Sequence, residues 1–401
     1  MTHIEQMIQD MCPNGVEFKT LGEVCEIHDA KRKPVTKSQR ASGEYPYYGA
    51  NGIQDYVNDY IFDGTFLLIG EDGSVINKDK SPVINWAKGK IWVNNHAHIL
   101  SEKKDIVLLR FLYYYLQTID VSDLVWGTPP KLNQQNLRSI EIPLPPLEIQ
   151  KKIVECLDKF SALAAELQAE LQMRRKQYEY YRTQLLTPHS DCNSATKPDD
   201  CKWEWKTLGE IGEMIKGSGI QKSDFVEEGK PCIHYGQVHT FYGTFAYKNK
   251  SYISEELYAK CKKAHTGDLV IATTSEDVEA CCKATAWLGD EDVAVSGDAH
   301  IYRHTQNPKY MAYLFQTEMF AQQKRRCATG AKVTRVHGDD MLKFRFPLPS
   351  LAEQERIVSI LDKFEALTTS LSDGIPAEQA AQQRRYEYYR DLLLTFDRKA
   401  V

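Results

Sequence analysis

Two stretches of this 401-residue chain repeat one another, and any fold it adopts must accommodate that repeat. Residues 147–163 read LEIQKKIVECLDKFSAL and residues 351–367 read LAEQERIVSILDKFEAL; ten of the seventeen positions are identical at an offset of 204. Each copy follows a proline-rich lead-in, Pro143-Leu144-Pro145-Pro146 or Pro347-Leu348-Pro349-Ser350. Each runs on to the same five residues, Tyr178-Glu179-Tyr180-Tyr181-Arg182 and Tyr386-Glu387-Tyr388-Tyr389-Arg390, where the offset has grown to 208. The second copy therefore carries four extra residues, which fit within Asp373-Gly374-Ile375-Pro376. Weaker echoes precede the copies: Lys19-Thr20-Leu21-Gly22-Glu23 matches 206–210, and Val93–Ile99 resembles Val295–Ile301. The plan is a block (1–145), a helix (146–187), a linker (188–203), a second block (204–347), and a second helix with a tail (348–401).

The repeated stretches predict long helices. From Ile153 an apolar seam runs through Leu157, Phe160, Ala164, Leu167, Leu171, Tyr178, Tyr181 and Leu185, broken only by Arg174, in alternating steps of four and three. Ile357, Leu361, Phe364, Tyr386 and Tyr389 continue the pattern in the second copy. If 149–186 is helical throughout, the rod is about 57 Å long. One such helix alone leaves its seam wet, so the two are expected to pack on each other, antiparallel, giving the halves a pseudo-twofold relation. The four-residue insertion acts as a stutter in the second helix or breaks it at Gly374 and Pro376.

The blocks read as mixed α/β. Strand-like runs are Thr65–Ile69, Pro82–Trp86, Lys90–Val93, Asp268–Ala272 and Asp292–Val295; helix-like runs are Asp105–Gln117 and Lys309–Cys327. Neither block shows the β-α alternation of a doubly wound sheet. A net charge of −5 argues against coating nucleic acid by bulk charge but leaves room for local basic patches. Ten cysteines without a C-x-x-C, a polar start and no apolar run of membrane-spanning length lead us to expect a cytoplasmic chain with free thiols.

Catalytic signatures are missing. Pro129-Pro130 and Pro145-Pro146 lack the acidic or Asn residue before and the aromatic after that a methyltransferase loop needs, and no P-loop is present. His96, His98, His300 and His304 have no carboxylate or Cys at ligand spacing, so they read as packed or hydrogen-bonded strand histidines and no metal is expected. Glu71-Asp72 and Glu276-Asp277 read as turn residues. No catalytic residue is assigned.

The pattern resembles the specificity subunits of type I restriction-modification systems. The resemblance rests on Cys12-Pro13-Asn14-Gly15-Val16 followed by Leu21-Gly22-Glu23. It rests also on three motifs present twice, the Pro-Leu-Pro lead-in, Ile-Val-x-x-Leu-Asp-Lys-Phe and Tyr-Glu-Tyr-Tyr-Arg. It covers nearly the whole chain and implies an α+β fold, with two mixed α/β target-recognition domains joined by two long helices packed as an antiparallel coiled coil. It implies further that each domain reads one half of a split double-stranded DNA target and that the helices set the spacer. The helices would dock two methyltransferase (modification) subunits and, through them, motor-nuclease (restriction) subunits. Methyl donor and ATP belong to those partners, so the chain itself needs no cofactor and no membrane. Other readings are a related chain serving a fused methylase-nuclease, a coiled-coil scaffold that binds only protein, and an enzyme with an unrecognised site.

Base reading needs donors and acceptors on backbone that can approach a groove. Two Gly-containing loops precede the helices, and the resemblance also points to them. Gly127, Thr128 and Lys131 in one, and Gly330, Lys332 and Arg335 in the other, are expected DNA contacts, the lysines on phosphate. A second set comprises Tyr47, Tyr48, Gly49 and Asn51 against Tyr235, Gly236 and Gln237, aromatic-Gly turns presenting Asn or Gln. Gln322–Arg326 forms a basic helix end that faces either phosphate or solvent. Ile153, Leu157, Phe160, Leu167, Leu171, Tyr178, Tyr181, Ile357, Leu361, Phe364, Tyr386 and Tyr389 are expected to pack the helix pair.

Overall fold

A computed structural model describes residues 3–188, 203–330, 333–370 and 374–399. The chain divides into two compact units, Met1–Gln168 with Glu378–Val401, and Ala169–Ala377.

In the first unit Phe62–Gly70 (β1), Ile84–Val93 (β2) and Ala97–Glu102 (β3) form the centre of a six-stranded sheet. β1 is antiparallel to both neighbours, with Leu67 opposite Trp86 and Leu100. Leu67, Leu68 and Ile69 are all fully buried, the continuous apolar run of a strand covered on both faces. The two short runs read at 82–86 and 90–93 belong to the one strand β2. Cys25–Ile27 borders β3; Ser42–Gly49 runs parallel to β2 and turns back as Gly52–Val57. The helix Leu109–Leu116 is shorter than its sequence pattern and buries Phe111, Leu112 and Tyr114 in the core.

The second unit repeats this centre. Leu269–Ala272 (β4), Lys283–Trp287 (β5) and Ala299–His304 (β6) lie in one five-stranded sheet, with Leu269 opposite Tyr302 as Leu67 is opposite Leu100. A second five-stranded sheet, containing Lys230–Ile233 and Val293–Val295, has no counterpart strand order in the first unit. The helix expected over Lys309–Cys327 is two, Pro308–Leu314 and Glu318–Cys327, because Thr317 caps the latter by accepting from the Phe320 N–H.

The first repeated stretch is one helix, Leu147–Leu185 (α1). The second is two, Leu351–Thr369 (α2) and Ile375–Leu394 (α3), so of the two outcomes offered for the insertion the break is the one found. Gly374 accounts for the break. A Cβ there would sit 2.6 Å from the Ala366 carbonyl oxygen, an approach only glycine permits. Pro376 falls in the first turn of α3, where its missing N–H costs nothing.

Each helix start is fastened to its block by the same residues. In the first unit Ile149, Ile153 and Leu157 are fully buried in the block's core together with Leu393 and Leu394 of α3. Buried Gln150 accepts from the Leu108 N–H (2.9 Å) and donates to the Pro145 and Ile106 carbonyls. Asp158 accepts from Tyr114 Oη (2.5 Å) and Arg110 (2.8 Å). In the second unit Gln354 takes the Asn307 N–H (3.0 Å) and donates to Pro349 O and Gln306 Oε1. Asp362 accepts from Tyr313 Oη (2.7 Å) and Lys309 (2.6 Å).

The helices also pair antiparallel within each unit. In the first, Phe160 meets Tyr386 and Tyr389 while Gln168 bonds Gln379 at 3.0 Å. In the second, Phe364 stacks on Tyr178 and Tyr181, with Ile357 and Leu361 buried beside Leu186. Leu167 and Leu171 are buried; Tyr181 keeps 39% of its surface although its ring is stacked.

Candidate nucleic-acid interface

Both sequence-selected loops are closed at their ends by paired backbone hydrogen bonds. In the first, Trp126 and Lys131 exchange two backbone hydrogen bonds (3.0 and 2.8 Å) around Gly127, whose φ of +95° suits glycine. Gly127, Thr128 and Lys131 are exposed, and Trp126 is 69% exposed, an unusual place for the largest apolar side chain. In the second, Thr329 and Arg335 exchange the same pair of bonds (2.9 and 2.8 Å) around Gly330 at φ +106°. Arg335 is exposed and lies 4.0 Å from Asp298. Lys332 lies outside the described residues.

The hairpins hang from equivalent positions. The Leu132 N–H bonds the Glu71 carbonyl just beyond β1 (2.8 Å), and the Val336 N–H bonds the Thr273 carbonyl just beyond β4 (3.2 Å). Below them the two units differ. In the first, His98, fully buried on β3, has Nδ1 2.6 Å from Asp29 Oδ2 and Nε2 2.8 Å from the Leu132 carbonyl. Asp29 also accepts from the Ile99 N–H (3.0 Å) and Gln134 (2.8 Å). Glu71 pairs with Arg32 and, at 3.0 Å, with Lys131. Burial pushes both carboxyls up. Hydrogen bonds outweigh it, from His98, Ile99 and Gln134 on Asp29 and from Arg32 and Lys131 on Glu71, and hold both below their ordinary values. Glu71, just past the end of β1, is thus a largely buried ion-pair partner, a role its reading as a turn residue did not include. Its neighbour Asp72 pairs with His96.

Asp29, Glu71 and His98 each place one possible ligand atom within 4.8 Å of the others. Those oxygens already accept from Arg32, Lys131, Gln134 and the Ile99 N–H, so positive charge is supplied by side chains. Exposed Lys31, Lys33 and Lys37 flank Arg32, a basic run visible in the sequence that directs attention to this edge. Asp29 and Glu71 carry no such signal, since 42 residues separate them and only the sheet brings them together.

The aromatic-Gly turns present less than expected. Tyr47 is 1% exposed, its hydroxyl tied to Val35 N–H (3.0 Å) and its ring under Arg40; Tyr48 and Gly49 are buried too. Of that set only Asn51 reaches the surface. Gln237 uses its amide internally, accepting from the His234 N–H and donating to Ser251 Oγ (2.6 Å). The Tyr235 N–H bonds Ser296 Oγ (2.8 Å) and the Gly236 N–H bonds the His234 ring. The half-buried Tyr235 ring lines an open groove with Lys216, Gln221, His234 and Asp298. In the basic helix end, Lys324 is buried on the Glu279 and Cys281 carbonyls and Arg325 pairs with Glu318 and Glu279, which leaves Arg326 exposed.

Among the described residues no helix is long and apolar enough to cross a membrane. Two blocks of one design, each fastened to a repeated helix and each carrying an exposed hairpin, define a duplicated recognition architecture. Residues 13–173 and 201–379 match the type I restriction modification DNA specificity domain. The chain is 36% identical to a putative type I restriction enzyme specificity subunit of Haemophilus influenzae, covering 98% of each. It is 30% identical to the EcoR124I/EcoR124II specificity subunit of Escherichia coli, covering 99% of this chain and 97% of that one. The fold is similar to the crystal structure of an S subunit from M. genitalium (TM-score 0.57, 15% identity, 95% and 96% covered). The chain belongs to the family of type I restriction-modification specificity subunits.

Proposed function

We propose that this chain is the DNA-reading, non-catalytic subunit of a cytoplasmic type I restriction-modification complex. Each block reads one half of a split double-stranded target. Two modification subunits dock on the helices and supply methyl transfer, and motor-nuclease subunits join through them. The observation that carries this reading is the doubled hairpin. Trp126–Lys131 and Thr329–Arg335 hang from matching strand ends, each ending in an exposed cation. Gly127 and Gly330 let backbone approach a groove, and Lys131 and Arg335 suit phosphate or guanine edges. On this reading the helices set the spacer between the two half-sites, which for readers on one DNA face is about one turn.

The test is mapping of modified bases in the source cell with and without this gene. A motif of two short halves around an undefined spacer should vanish on deletion, and exchange of residues 204–347 for a foreign block should change one half alone. Unchanged modification would favour a scaffold that binds only protein.

A further inference from the structure

Both ring nitrogens of His98 face acceptors. Nδ1 points at Asp29 Oδ2 and, at 3.7 Å, at Glu71 Oε2; Nε2 points at the Leu132 carbonyl. A neutral imidazole donates from one nitrogen only, so it would leave a lone pair against an oxygen in a fully buried site. The charges agree. Asp29 and Glu71 bring two negative charges below the hairpin, Arg32 brings one positive, and Lys131 sits at the exposed rim, so a second buried positive charge completes the balance.

The second unit is built differently at the same place. The strand registers put His300 where the first unit has His98, and Thr273, whose N–H bonds the Asp298 carbonyl as the Glu71 N–H bonds that of His96, stands where the first unit has Glu71. His300 Nδ1 lies 3.2 Å from the Thr273 hydroxyl, which itself donates to the Asp298 carbonyl at 3.2 Å, and no carboxylate is bonded to the ring among the described residues. Burial, with the Lys216 and His337 charges, pushes the His300 ring down, towards the neutral form.

The geometry points to His98, as an imidazolium held by Asp29 and Glu71, as the positioning residue for the first recognition hairpin, with no such histidine–carboxylate cluster among the described residues of the second. Its Nε2–H fixes the Leu132 carbonyl, one residue beyond Lys131, while Glu71 fixes Lys131 and the Leu132 N–H. The hairpin's aim at DNA then depends on a buried proton. The titratable and charged groups facing that proton are Asp29, Glu71, Arg32 and Lys131, with the Asp72–His96 pair one step outward. This inference rests on the proposed DNA-reading role of the hairpin.

Two measurements on the full chain test it. In 15N-histidine spectra at neutral pH, with His98→Gln and His300→Gln for assignment, His98 should show two protonated ring nitrogens and His300 a neutral ring; a neutral His98 overturns the proposal. In the complex with modification subunits, Asp29→Asn, Glu71→Gln and His98→Gln should each weaken discrimination at the first block's half-site about tenfold, the scale of one charged hydrogen bond. The second half-site should be unaffected. If Trp126→Ala and Lys131→Ala weaken binding while these three variants do not, the positioning role is wrong. If neither group has an effect, the hairpin is not the reader.

Discussion

Phe160 of α1 stacks on Tyr389 of α3 with ring centroids 5.5 Å apart, and Phe364 of α2 stacks on Tyr181 of α1 at the same 5.5 Å. The Phe of each Leu-Asp-Lys-Phe thus meets a Tyr of the other Tyr-Glu-Tyr-Tyr-Arg, once in each unit. Phe160→Ala and Phe364→Ala should each cost about 2 kcal/mol, less than a fully buried Phe because both residues are only partly buried. Denaturant unfolding would check this, and Phe160→Ala with Tyr389→Ala should be less than additive.

Gln150 and Gln354 satisfy one backbone N–H and two oxygen acceptors apiece in sites closed to water. Leucine fills the volume and leaves those groups unpaired. Each Gln→Leu change should lower stability by about 1–3 kcal/mol, read as a depressed Tm.

Burial pushes the His304 ring down to about 4, and its Nε2 has no hydrogen-bond partner. An unfolded histidine titrates near 6.5, so as pH falls from about 6.5 towards 4 the unfolded chain takes up a proton that the folded one refuses. Stability from this residue is fully present above about pH 6.5 and is lost on the acid side. Thermal unfolding at a series of pH values should show that slope, and His304→Asn should flatten it.

Lys131→Ala and Arg335→Ala should weaken DNA binding by the assembled complex and each reduce the slope of log affinity against log salt by about 1. Trp126→Ala should weaken target binding about tenfold or more with the salt slope unchanged, because an exposed indole contributes through surface burial. Titrations at several salt concentrations separate the two.

The repeat, the helices and the hairpin positions were legible because each is local. Ile153, Leu157, Ile357 and Leu361 recur at helical spacing and are buried as that spacing requires. The roles of Gln150, Asp158, Gln354 and Asp362 were not. They lie inside the repeated motif, but their partners, such as Tyr114 and Tyr313, stand more than forty residues away. Tyr47 and Gln237 misled for the opposite reason. Their residue types suit base reading, and only tertiary structure shows the ring buried and the amide engaged. The Asp29–His98–Glu71 cluster escaped a search by spacing because strands and a short turn distant in sequence converge to make it.

The fastening of each block draws on Gln150, Asp158 and Tyr114, or Gln354, Asp362 and Tyr313, and none of these belongs to a hairpin. Changes in the hairpins and changes in the fastening should therefore add independently. A change in what one block reads then need not disturb its seat on the helix, so target preference can be altered one half at a time while the contacts that seat each block stay as they are.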